Sequence, residues 1–176
     1  MWGLTGKGGT KHAVTGLGCM TSKKLDEIIL ELPEIKKIRV LKSDTDGFDY
    51  DVLKSSFETI MKHKPLIFFE CFYTNEEQKH GYIEVMKLLE KIGYVEWAIF
   101  DNFGELVIIT ENLQIVFQLI DYVWRQKIDY SPRIFYYDIL TIHKDDPLDL
   151  DLMISGYYEE IYRWLSLEIC TLGIMI

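Results

Sequence analysis

Ile38-Arg39-Val40-Leu41-Lys42-Ser43-Asp44-Thr45-Asp46-Gly47-Phe48-Asp49 is an apolar run that stops at three carboxylates around a glycine. A helical pattern begins directly after it. Open α/β sheets place their ligands in the crevice outside the carboxyl ends of the strands, so acids crowded at such an end are candidates for handling a substrate or a proton. A second strand end of the same kind follows at Pro65-Leu66-Ile67-Phe68-Phe69-Glu70. If the two strands are neighbours, both aim carboxylates at one crevice.

The periodicity outward from these strands fixes the class. Leu25, Ile28, Ile29 and Leu32 share a helical face within 22–32, and Pro33 stops that helix. After the acidic cluster, Leu53, Phe57, Ile60 and Met61 predict a helix of about three turns, closed by Lys62, His63 and Lys64 in accord with the helix dipole. Thr74-Asn75-Glu76-Glu77 reads as a capping box before a helix that buries Tyr82, Val85, Met86, Leu89 and Ile92 and ends at Gly93. Residues 94–100 and 105–110 read as a hairpin across Asp101-Asn102-Phe103-Gly104. A further helix carries Leu113, Val116, Phe117, Ile120 and Trp124. It precedes a strand within 134–142 and a turn at Lys144-Asp145-Asp146-Pro147.

Strands alternating with helices predict an α/β fold whose sheet is mostly parallel, with a terminal antiparallel hairpin. Three stretches divide the chain: a glycine-rich loop or remnant strand over 1–20, with a short strand near His12 to Val14; an α/β core over 21–110; and an appended helical and strand extension over 111–176.

Composition narrows the partners. The net charge of -9 opposes binding to nucleic-acid phosphates or an anionic membrane, since both need a basic surface. The three cysteines, Cys19, Cys71 and Cys170, are too far apart to suggest a disulfide framework or a close-spaced zinc site. No signal-peptide core or membrane span is evident, and a reducing cytoplasm is the expected location. The apolar ending Ile169-Cys170-Thr171-Leu172-Gly173-Ile174-Met175-Ile176 is expected to pack on a partner surface or to associate.

Three segments in order carry a family resemblance: Leu25-Asp26-Glu27-Ile28-Ile29, then Leu41 to Leu53 with its Lys42-Ser43-Asp44-Thr45-Asp46-Gly47 core, then Lys64-Pro65 leading a strand to Glu70. They resemble the successive signatures of FkbM-type methyltransferases, and the strand order resembles the second half of a class I methyltransferase sheet. The resemblance implies S-adenosylmethionine as cofactor and a hydroxyl as acceptor, frequently on a sugar or glycan. It makes Asp44 and Glu70 the catalytic candidates, as proton acceptor and hydroxyl-orienting group. Asp46 and Gly47 become cofactor-binding candidates. Asp49 and His80, which follow the two strand ends, become substrate-binding candidates. No metal is implied. Asp46 and Asp49 also suit a structural role, because carboxylates at a helix start accept backbone N–H groups.

The family's glycine-rich turn and the acid that holds the ribose belong upstream of everything matched, and Thr5-Gly6-Lys7-Gly8-Gly9-Thr10 follows no apolar strand. The expectation is a carboxyl-terminal half of the domain that binds cofactor poorly alone. Two other readings stay open. Asp44-Thr45-Asp46-Gly47 also resembles the opening motif of haloacid-dehalogenase phosphatases, with Asp145 and Asp146 as a later acidic pair around magnesium. A non-catalytic interaction module would use Tyr157, Tyr158, Tyr162, Trp164 and Leu165.

Overall fold

The computed structural model describes residues 4–5, 12–13, 23–128 and 133–159. In chain order these form β1 (Leu4–Thr5) and β2 (His12–Ala13), α1 (Leu25–Leu30), β3 (Val40–Ser43), α2 (Asp49–Ser55), α3 (Phe57–His63), β4 (Leu66–Cys71), α4 (Glu76–Lys91), β5 (Tyr94–Asp101), β6 (Leu106–Thr110), α5 (Leu113–Ile128) and β7 (Tyr137–His143). Residues 4–13 contribute a two-residue antiparallel pairing of β1 with β2. Residues 1–146 form one compact unit and 147–176 a second. In the second, residues 150–159 are helical, and the apolar ending lies outside the described residues.

One five-stranded sheet has the order β3-β4-β7-β5-β6. β3 pairs parallel with β4, whereas the other three pairings are antiparallel. The expected mostly parallel sheet is therefore corrected to a mixed sheet with one parallel pair. The reason is β7, which inserts between β4 and β5 and runs against both. β3, β4 and β5 still point the same way, as strands joined through helices should. Only their hydrogen-bond partners differ from the expectation.

Side chains alternate across the sheet. On one face Ile67, Phe69, Cys71, Trp97, Ile99, Tyr137 and Ile139 join a buried core with Leu53 of α2, Tyr82, Val85 and Leu89 of α4, and Val116 and Ile120 of α5. The register puts Lys42, Phe68, Glu70, Asp138, Leu140 and Phe100 on the other face. The Phe68 and Phe100 rings meet there edge to face, 6.5 Å apart.

Local chemistry explains where the helices start and stop. The single helix expected to carry Leu53, Phe57, Ile60 and Met61 is two, because the Ser56 hydroxyl donates to the Val52 and Leu53 carbonyls and leaves the backbone at φ -111°. Asp26 holds the start of α3 from outside: its carboxylate accepts the Thr59 and Glu58 amides at 2.8 and 3.1 Å. That gives the leucine-aspartate pair a physical role. Lys64, left-handed at φ 47°, closes α3 and lets Pro65 lead into β4. The box at α4 is shifted by one residue from Thr74 and Glu77. The Asn75 side chain caps the Gln78 amide, and the Gln78 side chain accepts the Thr74 amide at 2.7 Å.

Candidate functional site

β3 and β4 end side by side, so the loop after Ser43 and the last residues of β4 share one rim of the sheet. In the parallel register Ser43 lies opposite Phe69, which brings Asp44 level with Glu70. Across the next pairing Glu70 faces Asp138 directly. Asp44, Glu70 and Asp138 therefore form a row across three strands, on the face away from α2, α4 and α5. Asp138 was missed in the sequence. A strand running against its neighbours begins at the rim where theirs end, so an acid at the second position of β7 lands in the site. Reading β7 as antiparallel would have found it.

The three acids differ in surroundings. Glu70 is 9% exposed, and its Oε2 is buried with no hydrogen-bond partner. Burial, with Asp44, Asp49, Asp46 and Asp138 nearby, pushes its carboxyl up to about 7. Asp138 is half-buried, and burial together with Asp44 raises its carboxyl as well, against the lowering effect of Lys42. Asp44 is 60% exposed and 3.6 Å from the Lys42 ammonium. Lys42 also lies over the Phe68 ring. The row is thus a gradient from a wet, paired carboxylate to a buried one with a free oxygen.

Asp49 belongs to the other side. Fully buried at the first position of α2, it accepts the Ser43 hydroxyl at 2.5 Å, the Thr45 amide at 3.3 Å and the Tyr82 hydroxyl at 3.3 Å. These bonds tie the acidic loop to β3 and α4. The carboxylate clamps the loop that precedes its helix rather than capping the helix itself. Asp46 is exposed and left-handed at φ 52°, a conformation that aspartate tolerates.

Gly47 follows at φ 94° in a buried turn. A Cβ there would lie 3.1 Å from the Phe72 carbonyl oxygen and the Gln78 side-chain nitrogen, so the glycine allows close packing. Gln78 Nε2 donates to the Gly47 carbonyl at 3.3 Å.

Two clefts flank this rim. One of about 500 Å³ lies beside β3, lined by Leu25, Ile28, Leu41, Asp44, Thr45 and Val52 among others. Its size suits a small polar ligand with an apolar side. The second, about 640 Å³, lies between α2 and α4, where Tyr50, Asp51, Gln78, His80 and Glu84 line it. His80 is an exposed residue of α4 whose Nδ1 lies 2.7 Å from the Glu76 carbonyl oxygen. The structure therefore gathers Asp44 with Glu70, and sets Asp49 and His80 on the helix-covered side.

The acidic pair that a phosphatase would need lies at the wrong end. Asp145 and Asp146 follow the carboxyl end of β7, where the amino ends of β3 and β4 lie. There Asp146 pairs with Arg39, and Asp145 lies 2.5 Å from Lys64. Among the described residues no group of three or more histidines, cysteines or acids could hold a metal ion. No described helix is long and apolar enough to cross a membrane.

An α/β sheet with acids gathered at the rim of two parallel strands places them where such sheets bind ligands. The family model of the methyltransferase FkbM domain matches residues 20–96. That stretch, from just before α1 into β5, is similar to the methyltransferase FkbM domain and bears out the resemblance carried by its three signatures. No curated protein and no solved structure matches the chain.

Methyltransferases of this family imply S-adenosylmethionine. The described residues do not form a cradle for it: Gly47 is occupied by packing, and no glycine-rich turn joins a described strand to a described helix.

Proposed function

We propose that this chain takes part in S-adenosylmethionine-dependent methylation of a hydroxyl, on a sugar or a glycan, and that its described residues form the acceptor side of that reaction. The cofactor would supply the methyl group, its methyl carbon–sulfur bond breaking to release a neutral thioether. What the chain's own residues do is orient the hydroxyl and take its proton.

The observation that carries the reading is the buried, unpartnered Oε2 of Glu70 at the end of β4, within the stretch that matches the family. A general base needs an acceptor atom with no bond already made, and a pKa near the working pH. Glu70 meets both conditions, with its carboxyl pushed up to about 7. As the new bond to the hydroxyl oxygen forms, the hydroxyl proton moves to Glu70. Asp44, more exposed and next to Lys42, orients the hydroxyl as it enters from the cleft beside β3. Asp46 and Asp49 shape the loop.

The test incubates the purified chain with S-adenosylmethionine labelled in its methyl group and a panel of mono- and oligosaccharides. Label appearing in a sugar as an alkali-stable ether is the expected result. Label in no sugar, from a chain shown to be folded, would contradict the reading.

A further inference from the structure

The rim of the sheet carries more negative charge than the described residues answer. Across β5, β7 and β4, Phe100 lies opposite Asp138, and Asp138 opposite Glu70. Opposed residues of antiparallel strands stand on one face with their Cβ atoms about 5 Å apart. Lys42, which shares that face, lies 3.6 Å from Asp44 and answers its charge. The Asp138 carboxylate has no hydrogen bond or ion pair among the described residues. Glu70 is 9% exposed, and its Oε2 has no partner. Carboxyl groups withdrawn from water are ordinarily paired. The described acids are not grouped to hold a metal ion, so the partner that fits is an organic group with donors to give.

The next row of the same face is apolar. Phe68 of β4 lies opposite Leu140 of β7, and Leu140 opposite Ala98 of β5. The Phe68 and Phe100 rings meet there at 6.5 Å. Phe68, Phe100 and Leu140 are all partly exposed. An apolar platform is thus bordered by two opposed carboxyl groups, which suits a ring with one apolar face and a polar edge.

We propose that the acceptor is an amino sugar, its ammonium group held by Asp138, the hydroxyl on the neighbouring carbon set against Glu70 Oε2, and its ring lying on Phe68 and Phe100. This rests on the reading of Glu70 as the group that receives the acceptor hydroxyl. An amine and a hydroxyl on adjacent carbons give each of the two opposed side chains one donor. A neutral sugar leaves the Asp138 charge unanswered, and an N-acetylated one sets an uncharged amide against it. Asp138 is then the residue that selects the acceptor, on a strand beyond residue 96, where the family match ends.

The experiment titrates glucosamine, N-acetylglucosamine and glucose separately into the whole chain near neutral pH, without S-adenosylmethionine, and follows the backbone amides of β4 and β7 by NMR. Glucosamine is expected to shift them with an affinity about tenfold or more above the other two, the worth of one charge-assisted hydrogen bond. Asp138→Asn keeps the size, removes the charge and is expected to abolish that preference. Equal binding of the three sugars, no binding of glucosamine, or a preference that survives in Asp138→Asn would overturn the proposal. So would magnesium shifting the same amides and displacing glucosamine, since an inorganic cation would then be the partner. The comparison of sugars in the parent needs no variant, so it decides the matter even if Asp138→Asn does not fold. It needs no turnover either. Glucosamine bound by a chain that transfers no methyl group would count against the proposed reaction alone, whereas methylation of glucose without glucosamine binding would count against this inference alone.

Discussion

Asp49 and Glu70 show how two carboxylates near one sheet rim serve opposite ends. Asp49 is buried and fully bonded. Asp49→Ala would strand the Ser43 and Tyr82 hydroxyls and the Thr45 amide, so a loss of about 3 kcal/mol is expected in urea unfolding. Glu70 is buried with its Oε2 unpartnered, and its folded carboxyl is raised from 4.5 to about 7. The folded state therefore holds a proton that the unfolded chain releases between those values. Stability falls as pH rises through that window, and the penalty is complete above about 7. Glu70→Gln removes a charge that the fold opposes. It is expected to be more stable than the parent by up to about 3 kcal/mol above pH 7, and by nothing measurable below pH 4. Denaturant melts at several pH values check the sign: a pH-independent difference would mean that Glu70 is not held neutral. The acids were visible in the sequence as types and positions. Which of them is clamped was not, because Ser43 and Tyr82 are brought to Asp49 only by folding.

Among the elements, α2 and α4 lock together through a missing side chain. Gly81 sits against the Tyr50 ring, and a Cβ there would come within 2.4 Å of it. Tyr50 also meets Tyr82 edge to face at 5.3 Å. Alanine in place of a mid-helix glycine ordinarily gains up to about 1 kcal/mol. Here the collision wins, and Gly81→Ala is expected to destabilise by about 1–3 kcal/mol. The double variant with Tyr50→Ala should recover the helix gain. A double-mutant cycle showing strict additivity would remove the contact from the account. Element type was readable from periodicity almost throughout. The break at Ser56 was not, because a serine in a helical pattern gives no sign that its hydroxyl will turn back on two carbonyls. Element pairing was the larger loss. Alternation told which strands run the same way, but nothing local in 137–143 tells a strand to slide between β4 and β5, since that choice is made by long-range burial of Tyr137 and Ile139 against both neighbours.

At the scale of the whole molecule, the inserted strand converts two separate strand ends into a three-acid row and makes β4, β7 and β5 the interior of the sheet. β3 is left at an edge with Val40 56% exposed. Amides of β4, β7 and β5 are accordingly expected to exchange last with deuterium and those of β3 first, a gradient that local opening of sheet edges produces. Uniform protection across the sheet would contradict the topology. The resemblance that the family model bears out over residues 20–96 was legible because three short signatures survive in order along residues 25–70. The row of acids was legible only in two of its three members, since the third depends on the direction of β7. The central claim, that this row handles the proton of an O-methyl transfer, is tested most directly by one measurement: the rate of labelled methyl transfer to a sugar hydroxyl as a function of pH, in the parent chain and in Glu70→Gln. The account predicts a parent rate that rises through about pH 7 and a variant slower by roughly 10²–10⁴-fold that has lost this rise. Equal rates and profiles in the two proteins would take Glu70 out of the mechanism and contradict the account.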